Sequence, residues 1–181
     1  MSTALIVVDI QNDYFPNGKM ELHNAENAAA NAAKVLEWFR TNQKENIFHV
    51  QHLASNPAMG FFLPDTDGAE IHEIVQPLEN ESIITKQFAN SFLETDLESQ
   101  LKEKGITKLV VVGMMTHMCI DATVRAAVDL GYETTLIEDA CATRELMYQD
   151  KVVPAEQVHY AFIGALQGMY AEITSTEEFL K

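Results

Sequence analysis

The chain has 181 residues, 47% of them hydrophobic and 22% charged, enough to build one domain around a sizeable core. Its formal net charge of -15 opposes binding to nucleic acid or to an anionic membrane surface. Its two cysteines, Cys119 and Cys141, supply no disulfide framework, which fits a reducing, cytoplasmic setting.

The first apolar run, at positions 4–8, reads as a strand, and no signal-peptide pattern precedes it. A loop rich in turn formers follows at 11–18. Asn24 is placed to cap a helix running to about residue 43, favoured by alanines and given an apolar side by Val35, Leu36, Trp38 and Phe39. Ile47–His52 reads as the second strand. Residues 53–81 lack clear periodicity and hold Pro57, Gly60, Pro64, Gly68 and Pro77, which suggests a lid or an oligomer contact. A third strand is expected at 82–85, then a helix from Asp96 to about 104, with Leu97 and Leu101 one turn apart and Gly105 as its stop. A fourth strand at 108–112 leads into a helical pattern from about 116 to 131, and a fifth is expected at 133–137. Pro154 fits the first position of a helix to about 167, and a last strand at 170–174 precedes a capping box, Ser175 with Glu178. No apolar run reaches the roughly 20 residues of a membrane helix. Strands alternating with helices predict a single α/β domain over 1–181 with a mainly parallel sheet.

Three of these strands each end on a chemically active side chain. Asp9 follows the first, Lys86 the third, and Cys119 lies where the fourth turns into a helix. Ligand crevices of open parallel sheets lie outside the strands' C-terminal ends, so an acid, a cation and a thiol can converge there. A thiol in the first helical turn feels the positive end of the helix dipole, which favours thiolate and suits a nucleophile.

Several motifs resemble those of the isochorismatase-like cysteine hydrolases. They are Val8-Asp-Ile-Gln-Asn-Asp13, Lys86 with Phe88, Asn90, Ser91 and Phe92, and Gly113-Met-Met-Thr-His-Met-Cys119 with Asp121, Thr123, Arg125 and Ala126. The likeness continues through Glu138-Asp-Ala-Cys-Ala-Thr143. It is nearest to the cysteine-hydrolase branch related to nicotinamidase and N-carbamoylsarcosine amidohydrolase. The resemblance implies a Rossmann-like three-layer fold with sheet order 3-2-1-4-5-6, and a homo-oligomer. It implies Cys119 as nucleophile, Asp9 as proton-transfer group and Lys86 as their cationic partner. It also implies a cis peptide at Met114–Met115, with the backbone N–H groups of Met115 and Cys119 as an oxyanion hole. Nicotinamidases carry a metal on an Asp-x-His pair after the second strand together with a later His. Here the region reads His49-Val-Gln-His52, whose two histidines fall on opposite strand faces with no Asp beside them, so no metal and no cofactor is expected.

The expected activity is hydrolysis of a small non-peptide amide or carbamoyl compound through a thioester. The alternatives are a non-catalytic small-ligand or redox-sensing relative, and isochorismatase-type vinyl-ether hydrolysis through Asp9. Gln11, Asp13 and Asn90 are placed to orient catalytic groups or to cap turns, and Phe15, Phe61, Phe62 and Phe92 to line a pocket or fill core. Met114, Met115 and Met118 can form an adaptable apolar wall. His117, two residues before Cys119, shares no helix face with it and is not expected as base. Arg125 is expected in a surface pair, Cys141 as structural, and His72 and His159 as loop and helix-surface residues. The Phe61-Phe62-Leu63 run suggests an exposed apolar interface.

Overall fold

A computed structural model describes residues 2–181. The apolar run after the N-terminus forms most of β1 (Ser2–Val8), which from Ala4 on is buried on both faces and therefore apolar rather than alternating. It lies in a six-stranded sheet with β2 (Ile47–His52), β3 (Ser82–Lys86), β4 (Ile106–Met114), β5 (Glu133–Ala142) and, after a two-stranded hairpin, a short edge strand. The hairpin is β6 (Leu146–Tyr148) and β7 (Lys151–Val153), and the edge strand is β8 (Glu172–Thr174). The sheet order is β3-β2-β1-β4-β5-β8. Every neighbouring pair in it is parallel. The expected order holds, with β8 as the sixth sheet strand.

Helices cover both faces. Leu5, Val7, Val110 and Val112 pack against the alanine-rich face of α1 (Ala25–Asn42), whose Ala28, Ala29 and Ala32 let it lie close to the sheet. Ala4, Ile6, Val8 and Val111 face the opposite layer, where α2 (Leu97–Glu103) contributes Leu97 and Leu101 and α3 (Asp121–Asp129) contributes Val124 and Ala127. The remaining helices are α4 (Ala155–Leu166) and α5 (Thr176–Phe179). The Ser175 hydroxyl accepts from the Glu178 N–H, as the capping box predicts. Asn24 and Asp96 occupy cap positions without capping. Their side chains accept from the Asn27 and Gln100 amides instead. Among the described residues no helix is long and apolar enough to cross a membrane.

Residues 53–81 fold as short 3-10 turns at Pro57–Met59, Asp67–Ala69 and Glu73–Val75. They are tied to the body by a bridge between Gln11 and Ile71, and by the Phe62 N–H donating to the Asp13 carboxylate at 2.7 Å. Phe62 is therefore turned inward onto Tyr14, and the 61–63 run is not the exposed apolar surface that its composition suggests. The most exposed apolar side chains are Met147 and Tyr148 on the hairpin, Tyr160 on α4 and Met169 just after it.

One glycine fixes how closely β4 approaches β1 beside the functional edge. Gly113 has φ +132, and a Cβ built on it would lie 2.0 Å from the Val8 carbonyl oxygen. Gly105 also has positive φ, +62, but nothing lies within 4 Å of its Cβ position. We therefore expect Gly113→Ala to lower unfolding free energy by about 3 kcal/mol or more, against about 1 kcal/mol for Gly105→Ala. Urea unfolding of both variants checks this, and equal losses would mean that the contact with Val8 is unimportant.

Candidate active site

Asp9 terminates β1 with φ 50, in the left-handed region that Asp tolerates better than most side chains. Its N–H still donates to the Val50 carbonyl at 3.0 Å, while its own carbonyl accepts from Gln11 at 3.0 Å. The carboxylate thus sits where the sheet order reverses, between β1 and β4. Lys86 is the last residue of β3 and pairs in register with His52, the last of β2. Cys119 lies in a π-helical turn, Thr116–Ile120, that precedes α3. The turn is wide because the Ile120 N–H reaches back five residues to the Met115 carbonyl, at 3.2 Å. It is held from outside by Thr116 Oγ1 with His159 Nδ1 at 2.9 Å, and by His117 Nδ1 with Thr143 Oγ1 at 2.5 Å. His117 is thereby engaged with Thr143. The peptide bond between Met114 and Met115 is cis.

The three strand ends meet. Lys86 Nζ lies 2.8 Å from Asp9 Oδ2 and 3.2 Å from Cys119 Sγ. Exposures are 0% for Asp9, 1% for Lys86 and 5% for Cys119. Burial works against the Lys86 ammonium, but the charges of Asp9 and Cys119 and hydrogen bonds to both outweigh it and raise its pKa. The thiol behaves differently from the sequence expectation. Burial pushes the Cys119 pKa well up, the Asp9 charge adds to this, and Lys86 only partly offsets them. Cys119 therefore rests as the thiol.

His52 completes the cluster, and sequence reasoning weighed it only as a metal ligand. Its Nδ1 lies 3.1 Å from Lys86 Nζ and 4.0 Å from Asp9 Oδ2. The signal that could have found it is its position, a fourth polar residue at a strand's C-terminal end. His49, three residues earlier, points elsewhere, to Glu81 at 2.8 Å. Tyr14 was also missed. It is buried, and its pKa is raised by that burial and then by the charges of Cys119 and Asp9.

The other candidates separate into braces and bystanders. The buried Gln11 amide donates to the carbonyls of His52 at 2.9 Å and Ala69 at 2.7 Å, and accepts from the His52 N–H at 2.9 Å. It fixes the end of β2 and the 53–81 segment rather than facing a ligand. Asp13 holds Phe62, and Gly68 gives it room, since a Cβ there would lie 2.2 Å from the carboxylate. Asn90 accepts from the Phe92 N–H, a local turn. Phe92 stacks on Tyr132 at the start of β5, the end of the sheet away from Lys86. Phe15 stacks on His72 at 3.8 Å, and Phe61 packs on Tyr14 and Phe62. Met114 and Met115 are buried and Met118 is exposed. Arg125 pairs with Asp121 and lies over the Tyr170 ring, and the buried Cys141 thiol donates to the Ile137 carbonyl.

The sequence pattern of the isochorismatase domain matches residues 3–178. The chain belongs to the isochorismatase family. It is 59% identical over 181 residues to the isochorismatase family protein YddQ of Bacillus subtilis, covering 100% of both chains. A crystal structure assigned to the isochorismatase hydrolases, from Oleispira antarctica, is 47% identical, with a TM-score of 0.94 over 99% of this chain and 96% of that one. The ureidoacrylate amidohydrolase RutB of Acinetobacter baylyi is 27% identical over 98% of this chain and 82% of its own length. Members of the family are hydrolases, among them amidases of non-peptide C–N bonds.

The metal of the family's nicotinamidase members has no counterpart in this donor set. Donor atoms of Asp9, His52 and Cys119 do lie within 4.8 Å of one another. The Lys86 ammonium, however, already contacts all three, at 2.8, 3.1 and 3.2 Å. A second cation there would meet a fixed positive charge at contact distance.

The opposed effects of Asp9 and Lys86 on the thiol can be read directly. Asp9→Asn removes a charge that holds the Cys119 pKa up, so the pH midpoint of Cys119 alkylation by iodoacetamide should fall, whatever Asp9 contributes to the rate as a base. Lys86→Gln removes the charge that pulls it down and should raise that midpoint. Peptide mass spectrometry follows both, with Cys141, whose thiol burial pushes up to about 12, as internal reference. A higher midpoint in Asp9→Asn would refute this electrostatic account.

Proposed function

We propose that the chain is a metal-independent cysteine hydrolase that cleaves a small non-peptide amide or carbamoyl C–N bond through a thioester. The observation that carries this reading is one buried ammonium in contact with both a carboxylate and a thiol, Lys86 with Asp9 and Cys119. Family members named for amide cleavage support it.

Chemically, Asp9 takes the Cys119 proton as sulfur attacks the carbonyl carbon, so that a high-pKa thiol never needs to ionise in the resting site. Lys86 stays charged throughout and balances the negative charge as it passes from Asp9 to sulfur. The backbone N–H groups of Met115 and Cys119 hold the oxyanion, where the loss of one such donor typically costs about a hundredfold or more. Asp9 then gives its proton to the departing nitrogen as the C–N bond breaks. Water, deprotonated by Asp9, attacks the thioester carbonyl, and the acid leaves as Cys119 recovers its proton.

A screen of small amides, ureides and carbamoyl compounds, read by ammonia or amine release, tests this. On any active compound Cys119→Ala, Asp9→Asn and Lys86→Ala should each lower kcat by about a thousandfold or more. A covalent acyl adduct on Cys119 should appear in intact-mass spectra under rapid quench. Full turnover in Cys119→Ala would instead assign the chemistry to Asp9 alone, as in vinyl-ether hydrolysis.

A further inference from the structure

An ammonium has three N–H bonds to give. Lys86 Nζ gives them to the Phe88 carbonyl at 2.9 Å, His52 Nδ1 at 3.1 Å and Cys119 Sγ at 3.2 Å, and pairs by charge with Asp9 Oδ2 at 2.8 Å. Its donors are therefore committed within the protein, and none remains for a substrate. Its contact with His52 also fixes the imidazole. An ammonium has no lone pair, so Nδ1 must be the acceptor, and the ring proton of neutral His52 then sits on Nε2. Neutrality is supported by burial and by the Lys86 charge, both of which lower the His52 pKa. That leaves a buried Nε2–H with no hydrogen-bond partner among the described residues, on a residue 6% exposed. A buried donor left unmet costs about 1–3 kcal/mol, a cost that a ligand oxygen can cancel. Gln11 holds the His52 backbone on both its N–H and its carbonyl, so the imidazole is anchored at the strand end rather than free to turn away.

We propose that His52 is a substrate-recognition residue whose Nε2–H donates to an acceptor oxygen beside the scissile carbonyl, as in a carbamoyl amide, an imide or an α-oxo amide. The scissile oxygen itself goes to the backbone donors of Met115 and Cys119. This rests on Cys119 being the nucleophile of the proposed function. It narrows the substrate class to small amides with a second oxygen close to the bond that breaks. A simple alkyl amide leaves the His52 donor unmet and is discriminated against, as sites built to hydrogen-bond a substrate group reject analogues that lack it.

The two imidazole nitrogens can be replaced separately. His52→Asn puts an amide oxygen near the Nδ1 position and keeps the acceptor for Lys86, but removes the Nε2 donor. His52→Gln puts an amide nitrogen near the Nε2 position and restores the donor. Both variants and the unchanged protein are treated with iodoacetamide, whose carbonyl lies next to the attacked carbon, and with iodoethane, which has no acceptor. In both reactions sulfur bonds to carbon, iodide leaves and the thiol proton is lost to base. Rates at Cys119 are divided by those of N-acetylcysteine with the same reagent.

The expected result is that His52→Asn loses about tenfold on iodoacetamide, the equivalent of 1.4 kcal/mol, with little change on iodoethane, while His52→Gln recovers most of the loss. An equal fall on both reagents in His52→Asn would show that His52 only positions Lys86 and would overturn the proposal. So would no change on either. The readout does not require turnover. A chain without hydrolase activity that still shows this selectivity would fail the proposed function and keep the recognition role, whereas an active chain without it would do the reverse.

Discussion

The site depends on a charge placed where charges are expensive. Lys86 is almost wholly buried at the end of a strand, and desolvation of an ammonium costs several kcal/mol unless partners return it. The partners come from three other parts of the chain: Asp9 after β1, His52 at the end of β2 and Cys119 beyond β4. No two of the four are neighbours in sequence. The charge cluster is therefore satisfied only when the parallel sheet is assembled in its final order and register. Any arrangement that shifted β3 against β2 by one residue would turn Lys86 to the other face and leave Asp9 uncompensated. The geometry of the cluster and the specificity of the fold rest on the same contacts.

The surrounding chain serves to hold those ends still. Gly113 lets β4 press against the Val8 carbonyl, immediately before Asp9. Gln11 spans from β2 to the segment that crosses above it, and Asp13 fastens Phe62 onto Tyr14. Both braces are polar side chains satisfied by backbone groups in a buried setting, where an unmet partner would be costly. The segment 53–81 is long and irregular in composition, yet it is moored at several points. Its longest exposed stretch, 55–60, is the turn around Pro57–Met59, with shorter ones at 64–67 and 78–80.

Much of this was legible in the sequence. The alternation of apolar runs with helical patterns, and the placement of Asp9, Lys86 and Cys119 after such runs, follow from local rules that need no tertiary information. What escaped depended on contacts between distant residues. The hairpin of β6 and β7 is only three residues a side, too short for a period to show. β5 continues to Ala142 because it bulges beside Gly113, a pairing irregularity that no propensity announces. Phe61-Phe62-Leu63 reads as a surface patch until the Asp13 carboxylate is seen to hold the Phe62 backbone. His52 was weighed by its spacing to His49, when its register partner Lys86 was the informative neighbour.

The thiol shows why local and global electrostatics must be weighed together. A cysteine opening a helix and facing a lysine reads as a ready thiolate, since dipole and cation both act in that direction. In the folded chain Cys119 is buried, and the Lys86 charge it would use is already shared with Asp9. Net attraction for a negative sulfur is small, because an ion pair close by presents nearly balanced charge. In the proposed reaction the pair lowers the barrier instead by accepting the proton during attack, when the charge on Asp9 falls as that on sulfur rises, and Lys86 attends both. The same balance bears on the redox-sensing alternative. Oxidation by peroxide proceeds through thiolate and favours exposed, low-pKa cysteines. A buried thiol held protonated beside its own base is protected from adventitious oxidants and becomes reactive only toward a molecule that enters the site and takes the attack.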